Sequence, residues 1–394
     1  ATIFMDSRTE KKSILFSSDK NYIKDVSIIG ITLKSVNDRE GSRYHQGSLV
    51  SNVQGIYLAG VKGLVIKDVI IDQMNVGFKL GTSLDGKLND DITADNLQII
   101  NSRTPCYLSS TTNLDMTNSV LDATGGVDNH LHSIYINGNS SNMKFSKVDF
   151  INSPGGGIHI FNSIKNALPA KNIEIDQCSV DNAYVGAYIF SGAENVAITN
   201  TSFNNTQLPF KITDASSLNL SGNHITYDDL FYKKDEDEII SAYYMKNLTT
   251  SIIRDTFIDG SKMEASLFVI QGTLEDVTIE DMDVRNMGDM QLVSTSSSAI
   301  SNLRISDSYF EWSGESSSQK ISFRGEGSSA ILKNNTFMNK GERYQFLCYN
   351  YKDTYIYLNG NNYSGFGELC YINDYSKSID NMNLDSNNYD DNKY

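Results

Sequence analysis

The chain has 394 residues, of which 39% are hydrophobic, and its formal net charge at pH 7 is −15. This acidic excess argues against nucleic acid or an anionic membrane as a partner, because both need a positive protein surface. No apolar run approaches the roughly 20 residues of a membrane-spanning helix, and the sequence has no P-loop, dinucleotide-binding fingerprint or HExxH motif.

A short pattern recurs fourteen times along the chain: alternating apolar residues, then a turn residue, then another apolar residue three positions later. From the first turn residue to the last, the mean period is about 27 residues, which lies in the range typical of solenoid proteins. The predicted turn residues are Gly30, Asp68, Asn96, Asn118, Lys147, Gln177, Asn200, Gly222, Asp255, Asp281, Asp307, Asn334, Gly360 and Ser386.

Each repeat contains three short runs in which apolar residues alternate with others, for example 76–80, 92–94 and 97–100. Alternation with period two predicts strands, and no segment shows the 3.6-residue stripe of a helix. Twelve of the fourteen turn residues are Asn, Asp, Gly or Ser, types that favour turns, and Lys147 and Gln177 depart from this rule. Stacked Asn side chains at such turns are expected to bond to one another from rung to rung.

The first strand of each rung is expected to point alternate side chains outward. Aligning seven of these strands in chain order predicts an outward ladder of Tyr57, Lys79, Tyr107, Tyr135, His159, Tyr188 and Lys211. Residues at one aligned position should lie about 4.8 Å apart from rung to rung. The ladder is therefore a continuous aromatic and cationic surface.

Three of the five histidines fall near the middle of this ladder: His130, His132 and His159. His159 follows three glycines, 155–157, which we expect to leave room for a ligand beside it. The convergence of histidines, tyrosines and glycines on adjacent rungs predicts a functional site at this point.

A three-strand rung of about 27 residues resembles the right-handed parallel β-helix of pectate lyases and phage tailspikes. The resemblance extends over residues 26–390 and implies an all-β fold, a single-stranded right-handed parallel β-helix of about 14 rungs. An unbroken repeat predicts one elongated domain, with 1–25 as an N-terminal lead-in or cap and 391–394 as a C-terminal tail. The resemblance also implies that the ladder face is a saccharide groove.

Under this resemblance the first hypothesis is a polysaccharide lyase, which cleaves an acidic polysaccharide by β-elimination. Histidine suits the base that removes the C5 proton, tyrosine suits the acid, and a cation neutralises the uronate carboxylate. The base is His159 or His132, the acid is Tyr135 or Tyr188, and the cation is Arg103 or Lys211. The expected substrate-binding residues are Tyr57, Lys79, Tyr107, His130, Lys211, Asp128 and Asp214. No cofactor is expected; many pectate lyases use Ca²⁺, but the ladder has no acidic cluster to hold it.

Two alternatives stay open. A glycoside hydrolase of the tailspike type needs two carboxylates, for which Asp128, Asp181, Asp214 and the acidic run 235–238 are candidates. A non-catalytic adhesin or receptor-binding module would instead use the ladder tyrosines to stack on sugar rings. Both enzyme hypotheses predict a bacterial or plant polysaccharide as partner and an extracellular or virion-surface location, and the tailspike resemblance implies a homotrimer.

Overall fold

The computed structural model describes residues 2–6, 14–17, 22–36, 54–83, 86–124, 130–227, 241–263, 265–288, 290–314, 321–323, 328–341, 344–345, 348–350, 354–368, 382–383 and 388–389. Across these ranges the regular structure is all strand, and no helix occurs in them that is long and apolar enough to cross a membrane. The chain divides into two compact units, Ala1–Thr206 and Gln207–Tyr394.

The strands of the first unit are short single segments at its start and longer bent segments further on. They are β1 Thr2–Asp6, β2 Ile14–Ser17, β3 Ile23–Ile29, β4 Thr32–Val36, β5 Gln54–Ala59, β6 Val61–Asp72, β7 Val76–Gly81, β8 Asn89–Ile100, β9 Thr104–Leu108, β10 Thr111–Asp122, β11 His132–Ile136, β12 Ser141–Ile160, β13 Lys171–Asp176, β14 Ser179–Ile189, β15 Glu194–Thr199 and β16 Ser202–Asn204.

Equivalent strands of successive rungs in this unit pair in parallel. Leu64 of β6 pairs with Ile92 of β8, Ile92 with Leu114 of β10, and Leu114 with Met143 of β12. The pairing extends into the predicted lead-in, where β1 pairs with β4 and β2 pairs with β5. The parallel solenoid inferred from the sequence period is confirmed.

The predicted turn residues adopt the left-handed backbone conformation. All thirteen that the structure describes have positive φ, between 49° and 66°, and Lys147 and Gln177 are among them at 56° and 54°. Ser386, the fourteenth, lies outside the described residues. A left-handed conformation costs a non-glycine residue about 1–2 kcal/mol, so stacking between rungs must offset that cost at Lys147 and Gln177.

Amide side chains at one of the exposed turns form a directed ladder through the first unit. Each amide nitrogen donates to the side-chain oxygen of the rung before it, over 2.8 to 3.2 Å, in the order Asn195, Asn172, Asn142, Asn113 and Asp90. The ladder ends at the Asp90 carboxylate, which Lys62 contacts at 3.2 Å. The expected stacking of turn asparagines is therefore confirmed.

The core of the first unit lies between the strands of each rung. On β5, β7 and β9 the residues on either side of each ladder residue are fully or almost fully buried, for example Ile56 and Leu58 around Tyr57. Phe145, Phe150 and Phe203 are completely buried. Burying an aliphatic or aromatic side chain stabilises a fold by roughly 1.5–3 kcal/mol, so each rung fixes its outward residues by anchoring their neighbours.

The second unit has the same construction. Its strands are β17 Leu208–Ser216, β18 Asn219–Ser221, β19 His224–Thr226, β20 Tyr243–Arg254, β21 Phe257–Asp259, β22 Ser266–Glu280, β23 Asp283–Met287, β24 Gln291–Ser306, β25 Tyr309–Trp312, β26 Ile321–Phe323, β27 Ser329–Lys333, β28 Thr336–Asn339, β29 Tyr344–Gln345, β30 Cys348–Asn350, β31 Tyr355–Asn359, β32 Asn362–Ser364, β33 Phe366–Glu368, β34 Met382–Asn383 and β35 Asn388–Tyr389. Buried rings stack along its core: Phe210 lies 5.0 Å from Tyr243, and Tyr243 lies 5.2 Å from Phe268.

Candidate functional site

The outward ladder exists in the predicted register throughout the first unit. The parallel pairings join, in order, Tyr57, Lys79, Tyr107, Tyr135, His159 and Tyr188. The first five are partly exposed, while Tyr188 retains 9% exposure. The alignment of first strands is thus correct over these six rungs.

Each ladder ring leans toward the rung above it, over the residue two positions beyond the next ladder residue. Tyr57 lies over Gly81, where an added Cβ would come within 2.5 Å of the ring. Tyr107 accepts a hydrogen bond from the Asn137 amide at 2.8 Å. Tyr135 contacts Phe161 at 5.6 Å between ring centroids. Each of these three rings is therefore held by a side chain or by the backbone of the next rung.

Four rings converge in what we call the histidine–tyrosine cluster: His132, Tyr135, His159 and Tyr188. The two imidazoles lie 4.2 Å apart between centroids. His132 lies 4.7 Å from Tyr135 and 5.2 Å from Tyr188. His159 lies 5.4 Å from Tyr135 and 5.1 Å from Tyr188. The two histidines and the two candidate acid tyrosines of the sequence hypothesis are thus brought together.

Gly156 makes this packing feasible. It pairs with His132 across the strands, and a Cβ at Gly156 would lie 2.8 Å from His132 Nδ1 and 2.9 Å from Tyr188 Cδ2. Gly157 faces the core, where a Cβ would meet Val180 at 2.5 Å. The expectation that these glycines leave room for a ligand is wrong at Gly156 and Gly157, because two rings of the cluster fill the space at Gly156 and Val180 fills it at Gly157.

Both imidazoles are neutral at pH 7. Burial lowers the pKa of His159 from its ordinary 6.5 to about 4. The pKa of His132, which is only 4% exposed, is lowered well below 6.5, chiefly by burial and further by the neighbouring His159, while the backbone of Gly156 opposes the shift. The Nδ1 atoms of both rings are buried and have no hydrogen-bond partner among the described residues. Burying an unpartnered polar atom is costly, and such atoms concentrate where a ligand completes the bonding.

The hydroxyl of Tyr135 donates a hydrogen bond to the backbone carbonyl of His130. His130 itself is exposed at the edge of the cluster. A substrate oxygen that takes the Tyr135 proton must therefore replace this carbonyl.

Two cations of the predicted site, Lys79 and Arg103, lie on the same unit as the cluster. The Lys79 ammonium is 4.9 Å from the centroid of Tyr57 and 5.4 Å from that of Tyr107. Arg103 directly precedes β9, and its Nη1 is 3.5 Å from Asn75 Oδ1 while its Nε is buried without a hydrogen-bond partner in the described part of the chain. Neither cation has a described contact with the histidine–tyrosine cluster.

Other predicted site residues have different surroundings. Lys211 and Asp214 belong to the second unit, where the Lys211 ammonium lies 5.9 Å from the Tyr244 centroid. Asp214 is an exposed turn residue, with φ 53°, that accepts a hydrogen bond from Asn247 at 2.6 Å. Asp181 likewise accepts one from Asn204 at 2.5 Å. These carboxylates take part in turn and ladder bonding, and the substrate-binding role expected for Asp214 stays a prediction.

Asp128 and residues 235–238 lie outside the described residues. Among the residues that are described, no group of three or more His, Cys, Asp or Glu side chains could hold a metal ion.

Three residues of the site were not predicted from the sequence. Phe161 stacks on His159 at 4.5 Å, Phe190 contacts Tyr188 at 5.2 Å, and Asn137 holds Tyr107. Each lies two positions after a ladder residue. The period-two alternation that predicts the ladder therefore also predicts this second outward column, two residues further along each strand.

Comparison with known proteins identifies the architecture. Residues 126–254, which include the histidine–tyrosine cluster, match the family model for a right-handed β-helix region. The fold is a right-handed parallel β-helix. No curated protein sequence matches the chain significantly.

Solved structures of similar fold include the pre-mature gene product 12 of bacteriophage phi29, with 11% identity and a TM-score of 0.54 over 94% of this chain. Others are the catalytic domain of a GH87 α-1,3-glucanase in complex with tetrasaccharides (12% identity, TM-score 0.39, 98% of this chain) and the A-module of the Azotobacter vinelandii mannuronan C-5 epimerase (11%, 0.30, 100%). The β-helix described here aligns with 66%, 64% and 91% of those chains, respectively. At 11% identity, the likeness to the phi29 protein concerns the fold alone.

Proposed function

We propose that this β-helix binds a uronate-containing polysaccharide along the ladder and cleaves it by β-elimination at the histidine–tyrosine cluster. The observation that carries the proposal is the pair of buried, neutral imidazoles surrounded by tyrosine rings. Perturbed histidines in such a setting are candidates for catalytic groups. A polysaccharide substrate agrees with an extracellular or virion-surface location and with the homotrimer expected of tailspikes.

His159 is the proposed base. It removes the C5 proton of the uronate, the electron pair forms the C4–C5 double bond, and the C4–O bond breaks. The leaving oxygen takes a proton from Tyr188 or Tyr135, whose rings lie 5.1 Å and 5.4 Å from His159. A neutral imidazole at pH 7 is already in the form that accepts a proton.

Arg103 is the proposed partner of the uronate carboxylate. The pairing of Tyr107 with Tyr135, continued toward the start of both strands, puts Thr104 opposite His132, so Arg103 lies beside the rung below the cluster. Its buried Nε has no described partner, and a guanidinium suits bidentate binding of a carboxylate. The bound carboxylate would also raise the pKa of His159, because a nearby negative charge favours the protonated imidazole.

The ladder tyrosines supply the binding surface. Successive rungs are about 4.8 Å apart, so sugar rings bound along the ladder can rest on Tyr57, Tyr107, Tyr135 and Tyr188, with Lys79 and His159 between them. Tyr57 and Tyr107 are held rigidly, by Gly81 and Asn137, so little side-chain entropy is lost on binding.

One observation favours a second candidate, a glycan-binding module without catalysis. A catalytic histidine is usually oriented by a hydrogen bond to its second nitrogen, and neither Nδ1 has one among the described residues. The hydrolase alternative has less support, because the described candidates Asp181 and Asp214 are bonded to asparagines.

The test uses wild type, His159→Ala and, as matched control, His224→Ala, which removes an exposed histidine of the second unit. Each is incubated with polygalacturonate, alginate and hyaluronan while the ultraviolet absorbance of unsaturated uronate is recorded. We expect His159→Ala to lose about 10²–10⁴-fold in turnover, with sugar binding largely retained and His224→Ala unchanged. Equal turnover in all three proteins would refute the role of His159.

The acid limb of kcat/KM gives a second readout, because it reports the pKa of the free protein's base. With His159 as base, activity rises with pH through about 4 and is constant near neutrality. If kcat/KM instead rises with pH near 6.5, the ordinary pKa of histidine, the base is an exposed histidine.

A further inference from the structure

Lys79 occupies an unusual position on the ladder. It lies on β7 between Tyr57 and Tyr107, and its ammonium is within cation–π distance of both rings. Gly81 allows the Tyr57 ring to approach where a Cβ would lie 2.5 Å from it, and the Asn137 amide fixes Tyr107. The ammonium is therefore held between two rigid aromatic walls.

This cation has no carboxylate partner among the described residues, although the chain is strongly acidic. Lys34, Lys62 and Lys144 each contact a carboxylate, at 2.8, 3.2 and 3.0 Å. Lys79 is instead half-buried, and burial lowers the pKa of its ammonium. Holding a desolvated cation without a counter-ion is costly, so an anion arriving from solvent would relieve that cost.

The hydroxyl group of Tyr107, next to Lys79 on the ladder, has a proton that it can donate. Because Asn137 donates to the Tyr107 oxygen, the hydroxyl hydrogen of Tyr107 is not used in that bond and can be donated to a further acceptor. An oxyanion beside Lys79 would then receive a charge-assisted contact from the ammonium and a hydrogen bond from the phenol.

We propose that Lys79, Tyr57 and Tyr107 form a subsite for an anionic substituent, a carboxylate or a sulfate, of a sugar bound along the ladder. The inference rests on the proposed binding of a polysaccharide to this face and extends it. The subsite lies three rungs from His159, a separation of about 14 Å at 4.8 Å per rung. It is therefore remote from the bond that is cleaved, and its role is to select substrates by charge and to fix their register.

The test is a titration that needs no turnover. The lysines are reductively methylated with ¹³C, and the Lys79 signal is assigned by its loss in Lys79→Met; Lys67→Met, which removes an exposed lysine of the same unit, is the matched control. Sodium galacturonate, sodium sulfate and neutral glucose are then added separately.

We expect the Lys79 signal, and not that of Lys67, to shift saturably with galacturonate and to stay unchanged with glucose. A shift with sulfate alone would assign the subsite to sulfated sugars. No shift with either anion would overturn the inference. Because the readout is independent of cleavage, this failure would leave the proposed β-elimination standing, and a failure to detect β-elimination would not alter the titration.

Discussion

Mild acid is expected to destabilise the first unit through His159. Its pKa is about 4 in the folded chain, against an ordinary 6.5 when unfolded. The unfolded state therefore binds the proton first, so this stability is complete above pH 6.5 and is lost as the pH falls toward 4. The full loss is about 3 kcal/mol, at 1.36 kcal/mol for each pKa unit. Between pH 7 and 5, the share of His159 is about 2 kcal/mol, and His132 adds a loss of the same sign.

The assay is urea unfolding followed by circular dichroism at pH 7, 6 and 5, for wild type and His159→Phe. Phenylalanine retains a ring beside Phe161 and cannot titrate. Contributions of the carboxylates are common to both proteins and cancel in the difference. We expect the stability of wild type relative to the variant to fall by about 2 kcal/mol over this range. Parallel losses in the two proteins would mean that His159 titrates at its ordinary pKa, and the description of a buried, neutral imidazole would be refuted.

Two further substitutions test the packing. Gly156→Ala should lower the free energy of unfolding by about 1–3 kcal/mol, measured by thermal unfolding, and displace the rings of His132 and Tyr188, measured by ring-proton NMR. In the control Gly288→Ala the new Cβ meets no atom within 4 Å, so stability should not change. Unchanged ring signals in Gly156→Ala would contradict the geometry. Asn142 has a φ of 53°, and its side chain bonds to those of Asn113 and Asn172. Asn142→Ala should lower the free energy of unfolding by about 1–2 kcal/mol more than Asn142→Gly, measured by urea unfolding. The opposite order would show that the left-handed backbone does not determine stability at this turn.

Much of the architecture follows from local rules that repeat. The repeat places a turn at each predicted position because every rung must bend between the same two of its strand runs. Lys147 and Gln177 show that the repeat outweighs residue preference: neither favours a left-handed backbone, yet both adopt it. The ladder from Tyr57 to Tyr188 follows because strand side chains alternate and parallel rungs stack in register.

The details of the site depend on contacts that a linear pattern does not contain. Sequence spacing indicates that Gly156 is small, but only packing reveals that His132 and Tyr188 fill the space above it. The lean of each ring over the next rung is set by neighbours such as Phe161 and Asn137, which depend on the register between strands. The left-handed backbone of Asp214 and its bond to Asn247 likewise depend on the stacking of rungs.

The most direct test of β-elimination is the mass of the oligosaccharides that the wild-type protein releases from polyuronates. Elimination leaves an unsaturated sugar and adds no water, because the proton from C5 is removed by the base and the leaving oxygen is protonated by the acid. We expect products lighter by one water than hydrolysis would give, with the ultraviolet absorbance of the new double bond. Products that have gained water, with no unsaturated end, would contradict the proposed chemistry and transfer the reaction to a pair of carboxylates.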